Sequence, residues 1–219
     1  MQGHPANPGR VRLGAVALAV AGILFFLYPS IRPFSDEASL QGAAAFGSTA
    51  WIVAHMMAMV AFTMLMLGLL GLYSALQKTP PERLAFWTIV VGIVGVGLTL
   101  PFYGGEAFGL HAIGQEALRQ HSSSLVGLAS EVRSGPQLIM FLLGLLLIAI
   151  AAVMAATVIW RSGVFRKWSG IPFAIAFAVY IPQFFGTQPI RVAHGLLVTV
   201  GCLWIAVELM GKPVPAGRR

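Results

Sequence analysis

A chain of 219 residues that is 58% hydrophobic and 10% charged, with a mean hydropathy of +0.83, is too apolar for a water-soluble domain, whose core would need a charged wrapping. Its formal net charge of +7 does not point to nucleic acid, because the basic residues form neither a long run nor an aromatic-interleaved patch and fall where apolar stretches end. The lone Cys202, inside an apolar run, excludes a disulfide framework and CxxC redox chemistry.

Six apolar runs, about 12–30, 49–76, 84–103, 137–160, 169–186 and 189–210, predict helices that cross a membrane. Each comes near the ~20 residues that span a hydrocarbon core of ~30 Å, and the fifth is the shortest. Continuous rather than alternating apolarity excludes strands. The expected fold is an all-α, six-helix transmembrane bundle over 12–210, between a disordered cytoplasmic tail at 1–11 and a second cytoplasmic tail at 211–219. The first run ends in Tyr28-Pro29-Ser30-Ile31-Arg32 without a small-x-small cleavage site, so it reads as an uncleaved anchor.

Two connections are longer than turns. In 32–48, Ser35 is placed to cap a short helix with Asp36 and Glu37 in its first turn. In 104–135, Gly104-Gly105 is expected to end the third span. The apolar stretch Ala107 to Ile113 should then lie against the helix ends, before a solvated piece from Glu116 to His121. Glycines at Gly68, Gly71, Gly92, Gly95 and Gly97 lie within spans and read as packing devices.

Lys and Arg set the orientation. Ten (Arg10, Arg12, Lys78, Arg83, Arg161, Arg166, Lys167, Lys212, Arg218, Arg219) share one side, and four (Arg32, Arg119, Arg133, Arg191) share the other. That asymmetry predicts both termini in the cytoplasm. Composition and short loops point to a bacterial cytoplasmic (inner) membrane. The expected partners are the bilayer, a membrane protein or a second copy of the chain, with no nucleic acid.

The polar residues inside the spans gather near the external side. Val53-Ala-His55 and Val192-Ala-His194 open two returning spans, and each histidine falls about one helical turn, ~6 Å, below the expected surface. Two imidazoles at matched depth suit axial ligation of haem b or binding of a transition metal; Met59, four residues after His55, would favour copper(I). The bland reading is that each histidine bonds a neighbouring helix. The candidate metal set is His55, His194, His111 and Glu106, although Glu106 and His111 are turned about 140° apart on an ideal helix. Arg191 is the candidate for holding a propionate, a lipid phosphate or Glu106.

No HExxH, GxSxG or Walker motif is present, and no span carries a charged pair at its middle. Three functional readings remain. The foremost is a non-catalytic scaffold or accessory subunit. The second is a haem- or metal-binding oxidoreductase component built on His55 and His194. The third is a binder or carrier of a small lipophilic molecule, opening outward between helix ends.

Overall fold

A computed structural model describes residues 8–211. Among them the chain is helical throughout and contains no strand. Five helices are long and apolar enough to cross a membrane: α1 (Pro8–Ile31), α3 (Thr49–Leu76), the continuous Glu82–Gln120, α7 (Pro136–Ser162) and α9 (Gln188–Gly211). Shorter pieces are α2 (Leu40–Phe46), α6 (Leu128–Val132) and α8 (Ile171–Ala178). Helix α1 begins at Pro8, so residues 8–11 are helical and do not belong to the expected tail. The basic residues at 212–219 and the first seven residues lie outside the described part.

The helices close into a ring. Helix α1 packs between α3 and α9, α4 (Glu82–Gly104) between α3 and α7, and α8 between α7 and α9. Lipid offers no hydrophobic drive for helices to associate, so close approach of backbones carries much of the packing. At the crossing of α1 and α3 a Cβ added to Gly14 would lie 2.4 Å from the Gly71 Cα, a separation only paired glycines permit. The ring's centre is aromatic: Phe25 meets Phe62 edge-on at 4.8 Å and Phe177 at 5.7 Å. Long apolar side chains such as Leu13, Ile139 and Val207 face outward.

The fifth apolar run is broken. Helix α8 has eight residues and lies between 3₁₀ turns at Lys167–Gly170 and Pro182–Phe185. Pro182 has no N–H with which to bond the carbonyl four residues back, that of Ala178, and α8 ends there. The segment still runs the length of the bundle. Gly170 packs on Ala156, near the end that holds Lys78, and Phe184 meets Phe141 at 5.9 Å, near the end that holds Arg32.

The third span does not stop at Gly104-Gly105. Both glycines have helical backbone, and the helix passes through a π turn, Gly105–Gly109, directly into α5 (Leu110–Gln120). Such a turn admits an extra residue and re-aims the side chains around it. Helix α5 then packs on α2, and Phe46, Trp51, Leu110, Ala117 and Val126 form a second small core over the Arg32 end. Of the stretch Ala107 to Ile113, expected to lie against the helix ends, Ala107 and Leu110 are inaccessible to solvent while Phe108 is 55% exposed. The helix expected after Ser35 starts later. Ser39 caps α2, accepting from the Gln41 N–H at 3.3 Å, while Asp36 folds a turn onto the Ala38 N–H and Glu37 joins the ion pairs described below.

Candidate functional site

Four ionic side chains interlock at the Arg32 end. Arg133, from the α6–α7 connection, forks onto Glu106: Nε donates to Oε1 at 2.5 Å and Nη2 to Oε2 at 2.9 Å. Its Nη1 donates to Glu37 Oε2 at 2.5 Å, and the other Glu37 oxygen accepts from Arg32 Nη2 at 2.6 Å. Both carboxylates therefore have each oxygen bonded by a guanidinium. Bidentate, charge-assisted pairing of this kind is the strong form of the interaction. Arg32 is 7% exposed, with its guanidinium 4.4 Å from the Trp51 ring and 4.7 Å from the Phe34 ring. Burial pulls the Glu37 carboxyl pKa up, but Arg32 and Arg133 outweigh it and hold Glu37 below the ordinary carboxylate range. For Arg133 burial works against the charge, and Glu106 and Glu37 raise its pKa above the usual guanidinium value.

The π turn makes Glu106 part of this network. It buries the Glu106 side chain and presents its backbone carbonyl to Trp51, whose Nε1–H donates to it at 2.6 Å. His55, 1% exposed, lies one turn below Trp51. Its Nδ1–H donates to the Trp51 carbonyl at 2.8 Å, and its Nε2 faces Glu106 Oε2 at 3.6 Å. Both ring nitrogens thus face acceptors. The Nδ1–H is satisfied by the carbonyl, while the 3.6 Å between Nε2 and Glu106 is a contact longer than a hydrogen bond.

The second Val-Ala-His histidine is placed differently. His194 Nε2–H donates to the Ala176 carbonyl at 2.8 Å. In an unbroken α8 that carbonyl would accept from Tyr180, but the Tyr180 N–H bonds Phe177 instead, so His194 supplies the donor that the helix break removes. Three tyrosines stand between the two imidazoles. Tyr28 lies 5.3 Å from the His55 ring and 5.9 Å from the Tyr103 ring, the Tyr103 and Tyr180 hydroxyls are 3.1 Å apart, and Tyr180 lies 5.0 Å from His194. The helices that carry the two histidines pack mainly on α1 and touch each other only slightly. His111 is elsewhere, donating from Nδ1 to the Phe46 carbonyl at 3.0 Å. Among the described residues no three His, Cys, Asp or Glu side chains group as metal ligands.

Of the residues singled out by sequence, then, His55 and Glu106 come together, whereas His194 and His111 each serve a backbone carbonyl. Glu106 is held by Arg133, not by Arg191. Arg191 donates to the carbonyls of Phe184 at 2.6 Å and Gly186 at 3.2 Å. Sequence reasoning missed Arg32, Arg133, Glu37 and the three tyrosines. The signal was present: on a side that should be poor in arginine, the four arginines sit among five acidic residues (Asp36, Glu37, Glu106, Glu116, Glu131), a local charge balance that implies pairing.

Beside the network a cavity of about 700 Å³ opens between the Arg32 ends of α1, α4, α7 and the Pro182–Phe185 turn. The lining is polar at Arg32, Ser35, Glu37, Glu106, Arg133 and Arg191, joined by Tyr28 and Tyr103. The remaining lining is apolar: Phe34, Phe102, Leu138, Phe141, Leu142, Ile181, Phe184 and Phe185. Phe185 is 90% exposed and Leu142 37% exposed, so the apolar lining continues to the exterior of the bundle. The volume is that of a small-molecule site, and an apolar cavity with a few convergent polar groups is the usual form of one. No family model, curated protein or solved structure matches the chain.

Proposed function

We propose that this protein is a binder of a small lipophilic molecule, taken up in the cavity at the Arg32 end. The carrying observation is the cavity's mixed lining: apolar side chains that reach the exterior of the bundle together with fixed charges. A ligand enters sideways from the bilayer between Leu142 and Phe185, keeps its apolar part against Phe141 and Phe184, and presents its polar part to the arginines. The scaffold reading needs neither feature, and the haem reading needs imidazoles free to ligate, whereas His194 is committed to α8.

In this reading the chain crosses a bacterial inner membrane six times, five times as long helices and once through the broken 167–185 segment, with both termini cytoplasmic. Seven of the ten basic residues on the cytoplasmic side lie within the described chain and all are exposed, in keeping with that orientation. Cysteines at Ser123 and at Thr79, in a Cys202→Ala background, should label oppositely with an impermeant thiol reagent in intact cells. Labelling of position 79 alone reverses the orientation and puts the cavity on the cytoplasmic side.

The binding test is native mass spectrometry of protein released from lipid nanodiscs. The expected result is one retained amphiphile per chain, lost in Leu138→Trp/Leu142→Trp, which fills the space beside the apolar lining. An empty wild-type protein that also fails to retain added amphiphiles contradicts the proposal.

A further inference from the structure

We infer that the head group of the ligand is an anion seated on Arg191, so that the cavity takes a single-chain amphiphile with a carboxylate or phosphate head. The inference rests on the cavity being a ligand site.

Charge bookkeeping around the cavity is the first ground. Three guanidinium groups (Arg32, Arg133, Arg191) and two carboxylates (Glu37, Glu106) line it; three positive charges less two negative leave one positive. The partners say where that charge resides. Both oxygens of Glu106 are taken by Arg133, and those of Glu37 by Arg133 and Arg32. Arg191 bonds only the carbonyls of Phe184 and Gly186, which aim the guanidinium without neutralising it. Those bonds use two of its five N–H donors, leaving three for an acceptor in the cavity. A half-buried guanidinium at the edge of a bilayer, with no ion pair among the described residues and Glu37 acting on it only from a distance, is an expensive arrangement that an anionic ligand offsets.

Preorganisation is the second ground. The two carbonyls that orient Arg191 belong to the turn that also walls the cavity's opening through Phe184 and Phe185. That turn is fixed by the Gly186 N–H donating to the Gln183 carbonyl at 2.9 Å, and Phe34 and Phe184 flank the guanidinium at 5.4 and 5.8 Å. A planar fork held this way matches carboxylate and phosphate oxygens, and the adjoining apolar lining accepts a chain. Neutral alcohols and esters leave the charge unanswered.

The test measures binding of radiolabelled hexadecanoate, hexadecyl phosphate and hexadecan-1-ol to the full chain in phosphatidylcholine nanodiscs at pH 9. The two anionic probes should bind at least tenfold tighter than the alcohol. Arg191→Gln should bring them to the level of the alcohol, and Arg191→Lys should keep part of the preference. Acetate and inorganic phosphate, offered as heads without chains, should not displace hexadecanoate. Equal binding of all three probes to the wild type overturns the anionic head and leaves the cavity reading standing. Displacement by inorganic phosphate alone overturns the amphiphile in favour of a soluble anion. Binding of none of the three removes the cavity reading and this inference with it. Should Arg191→Gln fail to fold, the wild-type preference and its partial retention in Arg191→Lys still decide the question.

Discussion

The two ends of the bundle use their charges in opposite ways. At the Lys78 end, Arg10, Arg12, Lys78, Arg83, Arg161, Arg166 and Lys167 are all exposed, and the helices there are drawn together by backbone contact, as at Gly14 and Gly71. At the Arg32 end there are fewer cations, but Arg32, Arg133 and Arg191 are all at least partly buried, and two of them are locked to carboxylates. Charge at the first end is exposed, and in the proposed topology it orients the chain, with no single member expected to be essential. Charge at the second end is structure: it lines part of a cavity, and removing a member takes a partner from those that remain.

The largest effect that separates the ends should come from the Gly14–Gly71 crossing. Gly71→Leu places a branched side chain where a Cβ would already lie 2.5 Å from the Gly14 Cα, so α1 and α3 must part. A loss on the order of 3 kcal/mol or more is expected, seen as aggregation on size exclusion in mild detergent. A monodisperse protein of unchanged melting temperature would mean that the close approach is not what holds this end.

Next in size is the contrast between Arg133→Gln and Arg166→Gln. The first strands Glu106 and leaves Glu37 with Arg32 alone, and should cost about 3 kcal/mol in thermal melts. Arg166, whose Nε lies 3.5 Å from Glu208, is 79% exposed, and its loss should cost under ~1 kcal/mol. Equal effects would erase the difference between the ends. His194→Leu should fall between the two, at about 1–3 kcal/mol, because it orphans the Ala176 carbonyl; faster amide exchange confined to 171–186 would locate the damage.

The smallest expected effect is one of pH. The pKa of Glu37 is depressed in the folded protein, so its stabilisation is present above the unfolded value, ~4.3, and is lost as pH falls through the lower folded value. Melting temperature should be level from pH 7 to 5 and decline below about pH 4, with a shallower decline in Glu37→Gln. An identical acid limb in that variant would mean that the depressed carboxyl is not what acid attacks.

Much of this was open to reading in the amino-acid order, and what was not has physical reasons. Apolar length marks α3 as 49–76 to the residue, because a run bounded by Ser48 and Gln77 leaves little freedom. It does not register that Pro182 truncates the fifth run, nor that one carbonyl freed beside the break, that of Ala176, is taken by His194 of the following helix. Gly104-Gly105 looks like a stop because glycine usually ends helices; here tertiary contacts from Arg133 and Trp51 to Glu106 carry the helix through a π turn. The tripeptides at His55 and His194 look like a matched pair of ligands. Their partners, Glu106 in one case and Ala176 in the other, lie 51 and 18 residues away in the chain and decide two different roles.

The central claim is that the cavity at the Arg32 end, and not the general lipid-facing surface, holds an amphiphile. Photolabelling answers it most directly. A diazirine-bearing hexadecanoate, activated in nanodiscs and mapped by peptide mass spectrometry, should mark the 138–142 and 181–185 stretches, with labelling suppressed by unlabelled hexadecanoate. Labelling spread evenly over exposed positions such as Leu13, Val153 and Val207, unaffected by competitor, would contradict the account.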